Sequence, residues 1–86
     1  MKNMTRGEEL KVLVDYDVFD TNTKGMTGVY LKTNEETNKH LIYFPSIEEY
    51  GELEDKQINR VSPGRVSKKN KEFVSRMITM KTTYGP

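Results

Sequence analysis

Leu10-Lys11-Val12-Leu13-Val14-Asp15-Tyr16-Asp17-Val18 is the stretch on which the reading of the fold turns. Leu10, Val12, Val14, Tyr16 and Val18 fall on every second position, with Lys11, Asp15 and Asp17 between them, the alternation of a strand with one buried face. It predicts an opening strand from about Glu9 to Phe19. Asp20-Thr21-Asn22-Thr23-Lys24-Gly25, rich in turn formers, then reads as a surface loop. Thr27 to Thr33 alternates again, with Val29, Leu31 and Thr33 on one side and Tyr30 and Lys32 on the other, and Gly28 marks a bend or bulge at its entrance. Asn34 to Lys39 carries no apolar residue and predicts a hairpin into a third strand, His40 to Phe44, which Pro45 stops.

Further along, Ser46 to Tyr50 reads as a loop or a single helical turn, and Gly51 lets the chain turn back. Leu53, Ile58 and Val61 are the remaining apolar anchors; Glu54 to Gln57 between them suits one 3₁₀ turn before a last short strand. Ser62-Pro63-Gly64 closes the β region. Beyond it Ser67 is placed to cap a helix in which Phe73, Val74, Met77 and Ile78 share a face, whereas Val74, Ile78, Thr79, Thr82 and Thr83 favour extended structure. The expectation is a helix from about Lys69 to Met80, with strand as the alternative over residues 67–80.

With 86 residues there is room for one domain, which buries only roughly 60 to 65% of its unfolded surface, so a large enclosed active site is not expected. The chain has no cysteine, which removes disulfides and thiolate metal sites from the account and favours a reducing, cytoplasmic setting. No apolar run follows Lys2 and Arg6, so neither a signal peptide nor a membrane anchor is expected. The net charge of +1 conceals an asymmetry: residues 1–57 hold 7 basic and 12 acidic side chains, while residues 58–86 hold 7 basic ones and only Glu72. A basic extension of that kind either packs against its acidic neighbour or meets an anionic surface.

Five short strands in this order, with a long first loop, a hairpin and a 3₁₀ turn before the last strand, resemble the SH3-like barrel. Lys11-Val12, Gly25-Met26-Thr27-Gly28-Val29, Ile42-Tyr43-Phe44 and the run from Leu53 to Val61 are similar in spacing to small SH3-like accessory proteins. Those are the variable chain of ferredoxin-thioredoxin reductase, the small stromal subunit of photosystem I, and KOW-type domains. The resemblance covers residues 10–61 and implies an all-β, five-stranded SH3-like barrel over residues 8–61, with a short flexible lead-in at 1–7 and a basic C-terminal extension at 62–86. It also implies a class of role, a non-catalytic module that braces or recruits a larger protein. The first loop is shorter and more polar than in the reductase chain, and the extension after Pro63 has no counterpart there, so no particular partner is carried over.

Chemistry-bearing residues are few. His40 is the only histidine; at the head of a strand beside Lys39, a plain surface or edge position is expected and a catalytic set is not. Asp15, Asp17 and Asp20 fail the calcium-loop spacing, because Phe19 and Asp20 take the fifth and sixth positions, so no metal or other cofactor is implied. The expected function is a small accessory module that docks on a partner protein. Asp15 and Asp17 would supply steering and Tyr30 and Tyr50 contact area. The alternative is a nucleic-acid-binding protein whose Arg65, Lys68, Lys69, Lys71 and Arg76 meet phosphates, with Phe73 and Tyr84 among them. Oligomeric state is left open by the sequence.

Overall fold

The computed structural model describes residues 4–84, with side chains through Met77. Its elements in chain order are β1 (Glu9–Val12), β2 (Asp17–Val18), β3 (Thr21–Asn22), β4 (Thr27–Asn34), β5 (Lys39–Phe44) and β6 (Glu49–Leu53). A 3₁₀ turn (Asp55–Gln57), β7 (Ile58–Arg60) and α1 (Lys68–Tyr84) follow. Five strands make one antiparallel sheet in the order β6, β5, β4, β1, β7, while β2 and β3 form a separate two-stranded hairpin. The five-stranded sheet is not closed on itself, so its two edges are β6 and β7.

The opening strand is shorter than its alternation suggests. It leaves the sheet after Val12, with Leu13 N–H still donating to the Gln57 carbonyl at 2.9 Å. Val14 and Tyr16, from the loop that follows, and Val18, from β2, nevertheless pack on the same core as Leu10 and Val12. Alternation thus records which side chains are buried, not which backbone groups are paired. A second difference lies at Gly51, which sits in the middle of β6. The chain reverses earlier, where Ile47 N–H donates to the Phe44 carbonyl and Glu48 takes a φ of 54°.

β4 carries the architecture because it serves two cores. Gly28 and Tyr30 face Leu10, Ile42 and Phe44 on the inner side, and Val29 and Leu31 face α1 on the outer side. A bulge between Tyr30 and Lys32 then shifts the parity: Tyr30 pairs with Ile42, Lys32 with Leu41 and Thr33 with His40. Thr33 therefore joins Tyr30 on the inner face rather than Val29 and Leu31. Gly28 is not itself the bulge; a Cβ there would meet Ile42 Cγ2 at 2.5 Å and Leu10 Cδ1 at 3.2 Å, so a bare backbone is what lets these side chains close the inner core.

α1 begins where expected. Ser67 Oγ accepts the Asn70 N–H at 3.1 Å, an N-cap that satisfies one of the orphan donors of the first turn. Its inward row is Asn70, Phe73, Val74 and Met77, of which Met77 is buried against Val29 and Leu31 with Leu41 and Tyr43 beside them. Burying a side chain of this size stabilises by about 1.5–3 kcal/mol, enough to override the extended preference of the β-branched residues. Ile78, placed on the same face by its spacing, has a side chain outside the described residues.

Glu8 ties these layers together. It is fully buried, and its carboxylate accepts Arg60 Nε–H and Nη2–H at 2.7 Å each, as well as the Thr5 N–H at 2.7 Å. Burial alone would push its pKa up; the bonds from Arg60, Thr5 and the Gly64 backbone, with the Arg60 charge, hold it below the ordinary carboxylate value instead. Arg60 thus belongs to a buried pair and not to the free basic surface. Gly7 is buried as well, with its N–H on the Tyr30 carbonyl and its own carbonyl accepting from Asn70 Nδ2, so the lead-in is fastened to the sheet and to α1 from Thr5 onward.

Candidate functional site

The β2–β3 hairpin has a tip of two residues, Phe19 and Asp20, between the paired Val18 and Thr21. Phe19 is 79% exposed and holds a φ of 55°, a backbone region that costs a side-chain-bearing residue about 1–2 kcal/mol. The base beneath it is firmly built. Thr23, fully buried, donates both its hydroxyl and its N–H to the Tyr16 carbonyl at 2.6 and 2.8 Å. Asp15 Oδ1 accepts Asn22 Nδ2–H at 3.0 Å, and Asn22 Oδ1 accepts the Lys24 N–H at 2.9 Å. The Tyr16 ring lies over Gly51, and its hydroxyl accepts the Glu52 N–H at 2.9 Å, which occupies a donor on the open edge of β6. The hairpin therefore presents an apolar ring among three exposed carboxylates, those of Asp15, Asp17 and Asp20.

A second feature lies on the opposite side of β6. Strand alternation turns Tyr50 away from Gly51 and Tyr16, and its ring sits 5.2 Å from that of Tyr43, which in turn is 5.7 Å from Phe73 of α1. These rings floor a cleft of about 330 Å³ walled by Arg76 and Glu48. It adjoins a second cleft of about 460 Å³ walled by Lys69, Ser67 and Glu9, with Phe73 and Pro45 lining both. Burial, then Glu48 and Tyr50, push the Tyr43 hydroxyl pKa up, with Arg76 opposing, so this phenol stays neutral. Tyr50 is 40% exposed and forms the outer lip.

The expected site residues separate accordingly. Asp15 and Asp17 are exposed on the hairpin and Tyr50 is exposed on the far side of β6, so they do not form one surface. Tyr30 is a correction: it is only 7% exposed, packs edge-on to His40 at 5.6 Å and bonds the Thr33 hydroxyl, because the strand face it occupies is the inner core. Arg65, Lys68, Lys69, Lys71 and Arg76 are all exposed. At about 100° per residue, however, only Lys69 and Arg76 share the flank of α1 that carries Phe73, while Lys68 and Lys71 turn to the other side. The side chains of Lys81 and Tyr84 lie outside the described residues.

His40 is the second correction, being fully buried rather than at a surface or edge. Its Nδ1 meets the Thr33 hydroxyl at 2.8 Å and its Nε2 meets Asp55 Oδ1; Thr33 in turn meets the Tyr30 hydroxyl at 2.5 Å. Among the described residues no buried side-chain nitrogen or oxygen lacks a partner, and this network straps the β4–β5 hairpin to the 3₁₀ turn. A hydroxyl–imidazole–carboxylate order is shared with nucleophilic sites, but none of the four residues lines either cleft.

Sequence reasoning missed Phe19 and the pairing of Tyr43 with Phe73. The signal for Phe19 was its place next to Val18 in an alternating run: two adjacent apolar residues on an extended chain point opposite ways, so one must leave the core. Among the described residues no group of three or more His, Asp or Glu side chains is arranged to hold a metal ion, and no helix is long and apolar enough to cross a membrane. Comparison with protein-family models, curated proteins and solved structures gave no match.

Proposed function

We propose that the chain is an SH3-like barrel acting as a non-enzymatic module that docks on a partner protein, with the Phe19 hairpin as its principal contact. The barrel reading is supported by the order of the sheet, by β4 serving both halves through its bulge, by the 3₁₀ turn before β7, and by Tyr16 bridging from the first loop to the open edge at Glu52. The docking reading rests on one observation: a 79% exposed phenylalanine is held in a costly backbone conformation on a firmly bonded base. Folding gains nothing from that arrangement, whereas a partner pocket would gain an apolar ring at little further ordering cost. The surrounding aspartates select a basic rim on the partner.

The test is parallel capture on beads carrying the full chain, its Phe19→Ser variant and its Asp17→Lys variant. The reading requires a protein retained by the first and lost from the other two. Equal retention by all three would sink it. A second reading, in which single-stranded nucleic acid stacks on Tyr50 and Phe73 while Lys69 and Arg76 meet phosphates, is favoured by the placement of those two cations beside the rings. Salt-steep fluorescence anisotropy of labelled single strands, lost on Arg76→Glu, would promote it.

A further inference from the structure

The hairpin and the aromatic cleft are complementary, and neither can satisfy the other within one chain. Tyr16 anchors the hairpin against Gly51, on the inner side of β6, whereas Tyr50, Tyr43 and Phe73 open on the outer side. Between two chains the fit is direct. One offers a projecting ring flanked by Asp17 and Asp20; the other offers a ring-floored cleft of about 330 Å³ walled by Arg76 as well as Glu48, with Lys69 and Glu9 one cleft further along, so the rings supply the main match and the two cations the counter-charge. The net charge of only +1 leaves little overall repulsion to oppose the approach.

We infer that the occupant of the cleft is the Phe19 hairpin of a second copy of this chain. The inference rests on the docking reading above and names its partner. Phe19 enters edge-on against Tyr50 and Phe73, while Asp17 and Asp20 reach Arg76 and Lys69. Because hairpin and cleft lie on opposite faces of β6, one pair of chains does not close both contacts on itself: each bound chain still presents a free hairpin or a free cleft, so copies add head to tail. One ring and a few ion pairs bury less than a standard interface, which places the dissociation constant on the order of 100 µM.

Sedimentation velocity on the full chain, from about 10 µM to about 1 mM, tests this. The weight-average mass should rise with concentration past that of a dimer, and fall when salt is raised, as exposed charge pairs require. Phe19→Ser and Arg76→Glu, both at exposed positions, should each stay monomeric. Mixed in equal amounts they restore one usable hairpin and one usable cleft, so the mixture should form dimers and stop there. Monomers at every concentration of the unaltered chain would overturn the second copy as occupant, leaving the docking reading to its capture experiment. Association that survives Arg76→Glu, or a mixture that stays monomeric, would overturn the cleft as the seat.

Discussion

Replacing Glu8 by glutamine removes a charge while keeping its shape, and the structure sets the size of the effect. Breaking a buried ion pair by removing one partner costs about 3–5 kcal/mol when the other charge is left stranded. Here Glu8 is fully buried but the Arg60 side chain keeps 21% of its surface and can recover water, so we expect a loss of about 2–3 kcal/mol. In a domain of this size that lowers the melting temperature by roughly 10–20 °C. The pH dependence gives a sharper signature. Glu8 has a folded-state pKa below its unfolded value, so its contribution is fully present above the unfolded pKa near about 4.3 and fades as the pH falls through the lower folded value. A protonated Glu8 is chemically close to glutamine. Urea unfolding at neutral pH should therefore separate the two proteins, and the same titration in strong acid should bring their midpoints together. A gap below about 0.5 kcal/mol at neutral pH, or one that persists unchanged into acid, would refute the argument.

Three other substitutions probe the remaining layers. Phe19→Gly should stabilise the chain by about 1 kcal/mol in urea, because glycine adopts the φ of 55° freely and no buried contact is lost; a destabilised variant would mean that Phe19 packs within its own chain. Gly28→Ala should cost about 1–3 kcal/mol, since its Cβ would stand 2.5 Å from Ile42 Cγ2, and a neutral result in thermal melts would contradict the closeness of the inner core. Met77→Ala should cost about 2–4 kcal/mol and release α1 from the sheet, visible as earlier amide exchange in α1 than in β4.

Much of the turn chemistry was legible, except at Gly51, which lies inside β6, and in the expected surface loop over residues 20–25, which holds β3 and the buried Thr23. Asn34 to Lys39 does form the hairpin, with Asn34 Oδ1 accepting the Glu36 N–H at 2.9 Å, and Glu54 to Gln57 gives the 3₁₀ turn. Ser67 caps α1, and tertiary burial of Met77 decides the choice between helix and strand that local preference leaves open. What was illegible had a common origin in events that alternation cannot encode. Val14, Tyr16 and Val18 keep the period of one strand while the backbone leaves the sheet after Val12, and Val18 pairs anew in the β2–β3 hairpin. The bulge at β4 reassigns Thr33 to the inner face, which gives the buried His40 a partner for Nδ1 beside the one Asp55 gives Nε2. Of the site residues, exposure of Asp15, Asp17 and Tyr50 matched expectation, but Tyr30 could be distinguished from Tyr50 only by knowing which sheet face is enclosed.

The bulge at Leu31 gives β4 one residue more than its partner strand needs. Apolar exchanges at 31 keep the phase of everything downstream, because the position only has to fill space beneath α1. Deleting it would keep that phase as well, because Tyr30 and Lys32 already pair with the adjacent Ile42 and Leu41: the ladder would close into a regular one with Thr33 still facing His40, and what is lost is the apolar fill beneath α1. The strand thus carries its spare residue at 31, and a length change there is the one its ladder can absorb.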